Sequence, residues 1–242
     1  MSKPVVPYKD SKLGKKQQVR QMFDNISGRY DGLNRIITFG IDQKWRRRLV
    51  RLVGKTKPKS VLDIATGTGD LALALTQTGA DRIVGLDLAP GMLEVGRKKV
   101  SEKNLDARIE MVLGDSEALE FPDASFDAAT VAFGVRNFED LEKGLAEIYR
   151  VLKPGGFLAI LETSVPSKQP MKLGYRIYSK YILPLMGKLF SREASAYHYL
   201  SESAAAFPSG ENFNNILGKI GFIGMKHRPQ TFGVAAIYTA TK

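Results

Sequence analysis

The chain has 242 residues, a net charge of +11, no Cys and two His. That length suits one α/β domain with a few added elements. The composition excludes disulfides and argues against a zinc site. No apolar run reaches the ~18 residues of a membrane span, and the N-terminus lacks the apolar core of a secretory signal, so a cytoplasmic location is expected.

Residues 1–13 carry two Pro and several Lys without periodicity, and read as loosely packed. From Lys15 to Tyr30, Val19, Met22, Phe23 and Ile26 recur at helical spacing. Asp42 is placed to cap a second helix through Val53. That helix sets Trp45, Leu49 and Leu52 on one face and Arg46, Arg47, Arg48 and Arg51 largely on others. Residues 1–57 hold the whole net positive charge and form a basic N-terminal helical extension, while residues 58–242 are neutral. A basic segment of this kind suits an anionic membrane surface or nucleic acid, or is a solvated helical face.

Strand–helix alternation then begins, with strands expected at 60–65, 82–88, 108–114, 126–133 and 157–162. Helices are expected at 69–78, 90–103 and 138–152, the last stopped by Lys153-Pro154-Gly155-Gly156. This order implies a parallel sheet with right-handed crossovers. Residues 166–207 interrupt it with a helical insertion holding five of the nine Tyr, which suits a lid or wall for an apolar substrate. A helix at 209–219 and two strands near 221–228 and 232–240, turning at Pro229-Gln230, complete an antiparallel pair.

The chemistry concentrates at Ser60–Leu71, SVLDIATGTGDL, where a buried strand meets glycines and then a helix. Gly67 and Gly69 let a ligand approach the backbone, and Asp87, ending the second strand, suits the two hydroxyls of a ribose. These features alone admit either NAD or S-adenosylmethionine. Three others favour S-adenosylmethionine: Asp63 beside the glycines, where a carboxylate suits an ammonium group; the loop Asp115-Ser116-Glu117, suited to an adenine amino group; and the closing antiparallel pair. Thr66 also falls on this turn.

Residues 58–242 resemble class I S-adenosylmethionine-dependent methyltransferases, which implies a seven-stranded Rossmann-like sheet. The resemblance narrows at Tyr30-Asp31-x-x-Asn34 with Trp45, at Gly134-Val-Arg136-Asn137-Phe138 and along the run Arg150–Ser164. These match the ubiquinone/menaquinone-biosynthesis C-methyltransferases, departing at Leu33 and Asp42, where Met and His are usual. The resemblance implies methyl transfer to a ring carbon of a polyprenylated quinol: demethylmenaquinol, or its ubiquinone-pathway counterpart. Arg136 would then stabilise a developing quinolate or position a water that takes its proton, Asn137 would orient it, and Tyr30 would close the site. Arg is a poor direct base because it stays protonated.

The rivals lack their chemistry. There is no Asn/Asp-Pro-Pro-aromatic turn after the fourth strand and no Cys nucleophile for a nucleic-acid methyltransferase, so no nucleic-acid partner is expected. A dehydrogenase would need a Tyr-x-x-x-Lys pair or an evident His acid. The Tyr-rich insertion also suits a homodimer interface, and with the basic extension it suggests peripheral contact with the membrane.

Overall fold

The computed structural model describes residues 5–182 and 194–242. Part of the expected lid, including Leu185, Met186, Leu189 and Phe190, lies outside them. The chain begins with α1 (Lys15–Ile26), α2 (Tyr30–Thr38) and α3 (Ile41–Gly54). It continues as β1 (Ser60–Ile64), α4 (Asp70–Leu75), β2 (Arg82–Asp87), α5 (Pro90–Glu102), β3 (Ile109–Leu113) and β4 (Phe126–Ala132). Then follow α6 (Leu141–Val151), β5 (Leu152–Thr163), α7 (Met171–Ile177), α8 (Ala194–Ala206), α9 (Glu211–Ile220), β6 (Ile223–Gln230) and β7 (Ala235–Thr241). No helix among the described residues is long and apolar enough to cross a membrane.

The seven strands form one sheet in the order β3-β2-β1-β4-β5-β7-β6. All pairs are parallel except β5–β7 and β6–β7, which are antiparallel. β1, β2 and β4 are apolar on both faces, as inner strands of a covered parallel sheet must be. Successive residues serve opposite faces. Leu62 and Val84 pack with α6 and α9 through Ile148 and Leu217, whereas Val61 and Ile83 pack with α3, α4 and α5 through Leu49, Leu75 and Leu93. The basic extension is therefore continuous with the sheet: Trp45, Leu49 and Val53 of α3 belong to the core on one face.

Several local expectations shift. The helix expected from Lys15 to Tyr30 stops at Ile26, where Ser27 Oγ donates to Asp24 O and Gly28 weakens the turn, and Tyr30 opens a new helix. Asp42 is not a cap. It lies in the first turn of α3, buried, and accepts a hydrogen bond from Thr38 Oγ1 at 2.8 Å. α6 starts later than expected because Asp140 caps it, accepting from Lys143 N at 3.0 Å. The Pro229-Gln230 turn moves to Thr231–Gly233, since β6 is an edge strand that tolerates Pro229. The segment before Lys15 is anchored: Pro7 is buried and Tyr8 N donates to Gln18 Oε1 at 2.9 Å.

Two backbone reversals at the carboxyl edge set up the site. Ala65 leaves β1 with φ 52° and Phe133 leaves β4 with φ 61°, a left-handed conformation that bulky residues seldom adopt. The two turns touch at Gly134. A Cβ there would lie 2.5 Å from Ala65 Cβ and 3.0 Å from Val131 Cγ1. Gly134→Ala should destabilise the protein by about 1–3 kcal/mol. Gly28→Ala, with nothing within 4 Å of the new Cβ, should be close to neutral. Urea unfolding of both variants checks the pair.

Candidate active site

β1 has β2 on one side and β4 on the other, so the chain leaves it in opposite directions and a crevice opens above its carboxyl end. Two clefts occupy that crevice. The first, about 690 Å³ and open to solvent, is lined by Gly67, Asp87, Met92, Asp115, Ser116 and Asn137. The second, about 1330 Å³ and also open, is mostly apolar and is lined by Ile37, Trp45, Met171, Tyr175, Tyr178 and Arg136 among others. Tyr30 and Phe133 line both. A third, smaller cleft joins Tyr30 and Arg46 to Asp63, Thr66 and Asp70.

Two buried carboxylates, Asp63 and Glu162, and the half-buried Asp87 stand at strand ends. Asp63 accepts from Thr66 Oγ1 at 2.6 Å and Thr130 Oγ1 at 2.7 Å. Burial dominates its chemistry and pushes its carboxyl up to about 6 despite those two hydroxyls. Asp87 accepts from Gly67 N at 2.7 Å and Ala89 N at 2.9 Å, and burial again raises its pKa. Each oxygen spends one acceptor position on a backbone N–H, which leaves capacity toward a ligand hydroxyl. Glu162, at the end of β5, is fully buried and paired with Arg136, itself almost wholly buried. Burial would lower the Arg136 pKa, but the Glu162 charge and hydrogen bond outweigh it, and the guanidinium stays a cation.

The expected site residues divide between the clefts. Gly67, Asp87, Asp115, Ser116 and Asn137 reach the first, and Thr66 and Asp63 the third. Gly69 lines none of the three. It is the N-cap residue of α4, with φ 78°. Arg136 and Asn137, neighbours in sequence, face different clefts. Asn137 Oδ1 accepts from Tyr199 Oη at 3.1 Å, which ties α8 to the first cleft. Asp115 does not present a free carboxylate. Lys16 bridges it at 2.7 Å and Glu117 at 3.0 Å, and these hydrogen bonds outweigh burial and raise the Lys16 pKa. Above Gly67, where a Cβ would stand, only Tyr30 Cε1 lies within 4 Å, at 3.8 Å. The first cleft thus fits a nucleoside: bare backbone, a carboxylate for ribose and an apolar wall at Met92.

Glu162, Arg46, Asp31 and Lys99 escaped the sequence reading as site residues. Glu162 looked like the end of an apolar strand. Arg46 looked like one of a run of surface arginines, yet it is mostly buried, paired with Asp42, and lies 5.4 Å above the Phe133 ring. The Asp42-x-x-x-Arg46 spacing, one helical turn, was the available signal. Asp31 accepts from Thr68 Oγ1 at 2.6 Å and pairs with Lys99, which also holds Asp70 at 2.6 Å. These links pin α2 onto the glycine turn. The Tyr30 phenol is pushed up chiefly by burial, against Asn34, Arg46 and Arg136, so it stays protonated near neutral pH.

Comparison with known proteins matches residues 11–242 to the ubiE/COQ5 methyltransferase family. A demethylmenaquinone methyltransferase of Bacteroides fragilis is 47% identical over 240 residues, covering 98% of this chain and 97% of its own. One from Thermus thermophilus is 48% identical over 223 residues, 91% of this chain and all of its own. A ubiquinone/menaquinone biosynthesis C-methyltransferase, UbiE, of Geobacter sulfurreducens is 45% identical over 230 residues, 94% of this chain and 90% of its own. Among solved structures, a methyltransferase of Thermotoga maritima aligns with TM-score 0.64 at 19% identity over 92% of this chain and 99% of that one. The [4+2]-cyclase SpnF aligns at 0.58 and 20% identity over 94% of this chain and 96% of that one. A methyltransferase and a cyclase share this fold, so the fold alone does not choose the reaction.

The raised Asp63 pKa has a measurable consequence. The folded protein holds this proton more tightly than the unfolded chain, so the group favours folding at low pH. That contribution is lost as pH rises from the ordinary carboxyl value through about 6. Asp63→Asn cannot ionise. Its stability relative to the native sequence should therefore rise between about pH 4 and 7, as read from thermal unfolding across that range.

Proposed function

The chain belongs to the ubiE/COQ5 methyltransferase family, and we propose that it transfers a methyl group from S-adenosylmethionine to a ring carbon of demethylmenaquinol, giving menaquinol. One observation carries the reading: an open cleft edged by Gly67, Asp87 and Asp115 and a larger apolar cavity share Tyr30 and Phe133 as walls. S-adenosylmethionine supplies a methyl group made electrophilic by its sulfonium. Asp87 takes the ribose hydroxyls, Asp115 and Ser116 border the adenine, and Thr66 and Gly67 line the backbone approach. Asp63 lies toward the amino-acid end, where its charge, present above about pH 6, attracts an ammonium group.

The quinol ring occupies the apolar cavity. A ring carbon becomes a competent nucleophile when a hydroxyl proton leaves and its charge spreads into the ring. Arg136 meets that charge. Glu162 holds its guanidinium in place, and the Nε atoms of Arg136 and Arg46 are buried without a hydrogen-bond partner. Arg136 stabilises the oxyanion or positions the water that accepts the proton, and does not itself act as base. Tyr30, protonated, divides the clefts and limits water between them. Asn137 works from the cofactor side, joining α8 to that cleft rather than touching the ring.

Mass spectrometry tests the function. Enzyme incubated with S-adenosylmethionine and reduced demethylmenaquinone should yield a quinone one methyl heavier. Faster turnover of the demethylated ubiquinol precursor would select the ubiquinone-pathway reaction instead. For Arg136, an alanine variant would strand the Glu162 charge and cost stability for that reason alone. The paired change Arg136→Gln with Glu162→Gln avoids this. It should lower turnover by roughly 100-fold or more while calorimetry shows S-adenosylmethionine binding kept. Unchanged turnover would reject the role.

A further inference from the structure

Two exposed aromatics are built into the rim of the apolar cavity. Phe39 is 76% exposed and Phe232 80%. Both hold left-handed backbone, with φ 50° and 57°. Keeping bulky side chains in strained turns and in water needs a reason. Phe39 lies on the cavity mouth between α2 and α3, and Phe232 follows Thr231, which lines the same cavity. Across the cavity, α7 contributes Met171, Gly174 and Tyr175 to the lining and leaves Leu173 and Ile177, 49% and 48% exposed, on its outer side. Tyr178 Oη, donating to Ile37 O at 2.7 Å, ties that side to α2.

Cations border this rim. Arg48 and Arg51 of α3, Lys55 just after it and Arg228 of β6 line one shallow cleft that contains no acidic residue. Arg48 bonds Gln230, the residue before the turn that carries Phe232. Lys44 and Arg47 are exposed on the same helix. None of these six has a carboxylate partner among the described residues. By contrast Lys15, Lys16 and Arg46 of the same basic segment are turned inward to carbonyls and carboxylates.

We propose that this face docks on an anionic phospholipid bilayer, with Phe39 and Phe232 entering the interface and the α3–β6 cations meeting lipid phosphates. The inference rests on the apolar cavity being the quinol site: its mouth then opens into the layer that holds a prenyl tail. Charge complementarity selects a bilayer over a second copy of the chain. A two-fold dimer through this face would set uncompensated cations against each other, whereas each Lys or Arg near an anionic surface gains about 1 kcal/mol.

Vesicle co-sedimentation of the full chain tests this, with phosphatidylglycerol–phosphatidylcholine vesicles against phosphatidylcholine alone, at low and high salt. Binding should require the anionic lipid and weaken with salt. Arg51→Gln/Lys55→Gln/Arg228→Gln should weaken it on the order of 100-fold, and Phe232→Ser roughly tenfold. Both variants should keep turnover on a short-tailed quinol in detergent and lose it on a long-tailed quinol in vesicles. Anionic-vesicle binding that is absent, or unchanged in both variants, would overturn the docking face. So would a dimer, seen by sedimentation velocity, that the variants dissolve. Vesicle binding with these dependences, but no turnover of any quinol, would uphold the docking face and overturn the substrate reading.

Discussion

Three carboxylates at the carboxyl edge of the sheet, two buried and one half-buried, govern the loops above it. A carboxylate withdrawn from water must be met by donors or give up its charge. Asp63 on β1, Asp87 on β2 and Glu162 on β5 solve this in three ways. Asp63 recruits two hydroxyls, and so folds Thr66 back over its own strand end. Asp87 recruits two backbone N–H groups, and so fixes Gly67 and Ala89 on either side of the nucleoside cleft. Glu162 recruits a guanidinium and holds Arg136 in the apolar cavity. The loops that touch ligands are thus the loops that satisfy these acids, and the site is positioned as a by-product of neutralising the sheet edge.

The roof over this edge has two characters. Over the nucleoside cleft it is electrostatic: Lys16 spans to Asp115 and Glu117, Asp24 accepts from Gly91 N at 2.8 Å, and Asp31 reaches Thr68 and Lys99. Over the larger cavity it is apolar, made by α2, α7 and α8 with few polar ties, of which Tyr178 to Ile37 is one. Half-exposed ion pairs contribute little each. Several converging on α1 and α2 still fix where those helices sit: Lys16 reaches the loop after β3, and Asp24 and Asp31 reach α5 at its two ends. A polar roof suits a charged, water-soluble ligand that must enter and leave. An apolar roof suits a ring delivered with a hydrocarbon tail.

Much of this was legible in the chain. The mostly apolar runs of β1, β2 and β4 announced inner parallel strands, and the glycine turn with Asp87 announced a nucleotide-like ligand. Local chemistry carried those signals. What stayed hidden depends on partners far away in sequence. Glu162 ends an apolar strand, and nothing near it hints at Arg136, whose contact is made only when β4 and β5 lie side by side. Thr130 is one polar residue in an apolar strand until β1 brings Asp63 beside it. Arg46 sits among four arginines, and only the crossing of α3 over Phe133 distinguishes it. Over residues 5–13 the loose reading failed likewise: Val5 and Tyr8 pack against a cluster containing Tyr199 of α8, a contact no local pattern encodes.

Tyr30 joins these strands of argument. It lines both main clefts and the small one beside Asp63, its ring edges against Phe23 at 5.9 Å, and it covers Gly67. A side chain in that position is a wall common to donor and acceptor, so a ligand in either cleft presses on the same ring. Its hydroxyl, raised in pKa mainly by burial, stays neutral beside two arginines. Ionised, it would compete with a quinolate for the charge of Arg136. On the proposed role of Arg136, the burial that makes Tyr30 a poor acid keeps that guanidinium for the substrate. The same partition of charge explains why Glu162 and Asp42 each hold one arginine: they fix the cations in place, while the orphaned Nε atoms leave unused donor capacity in the protein. On the proposed roles, one neutral phenol between two anchored cations is what turns a sheet shared with a cyclase to methyl transfer.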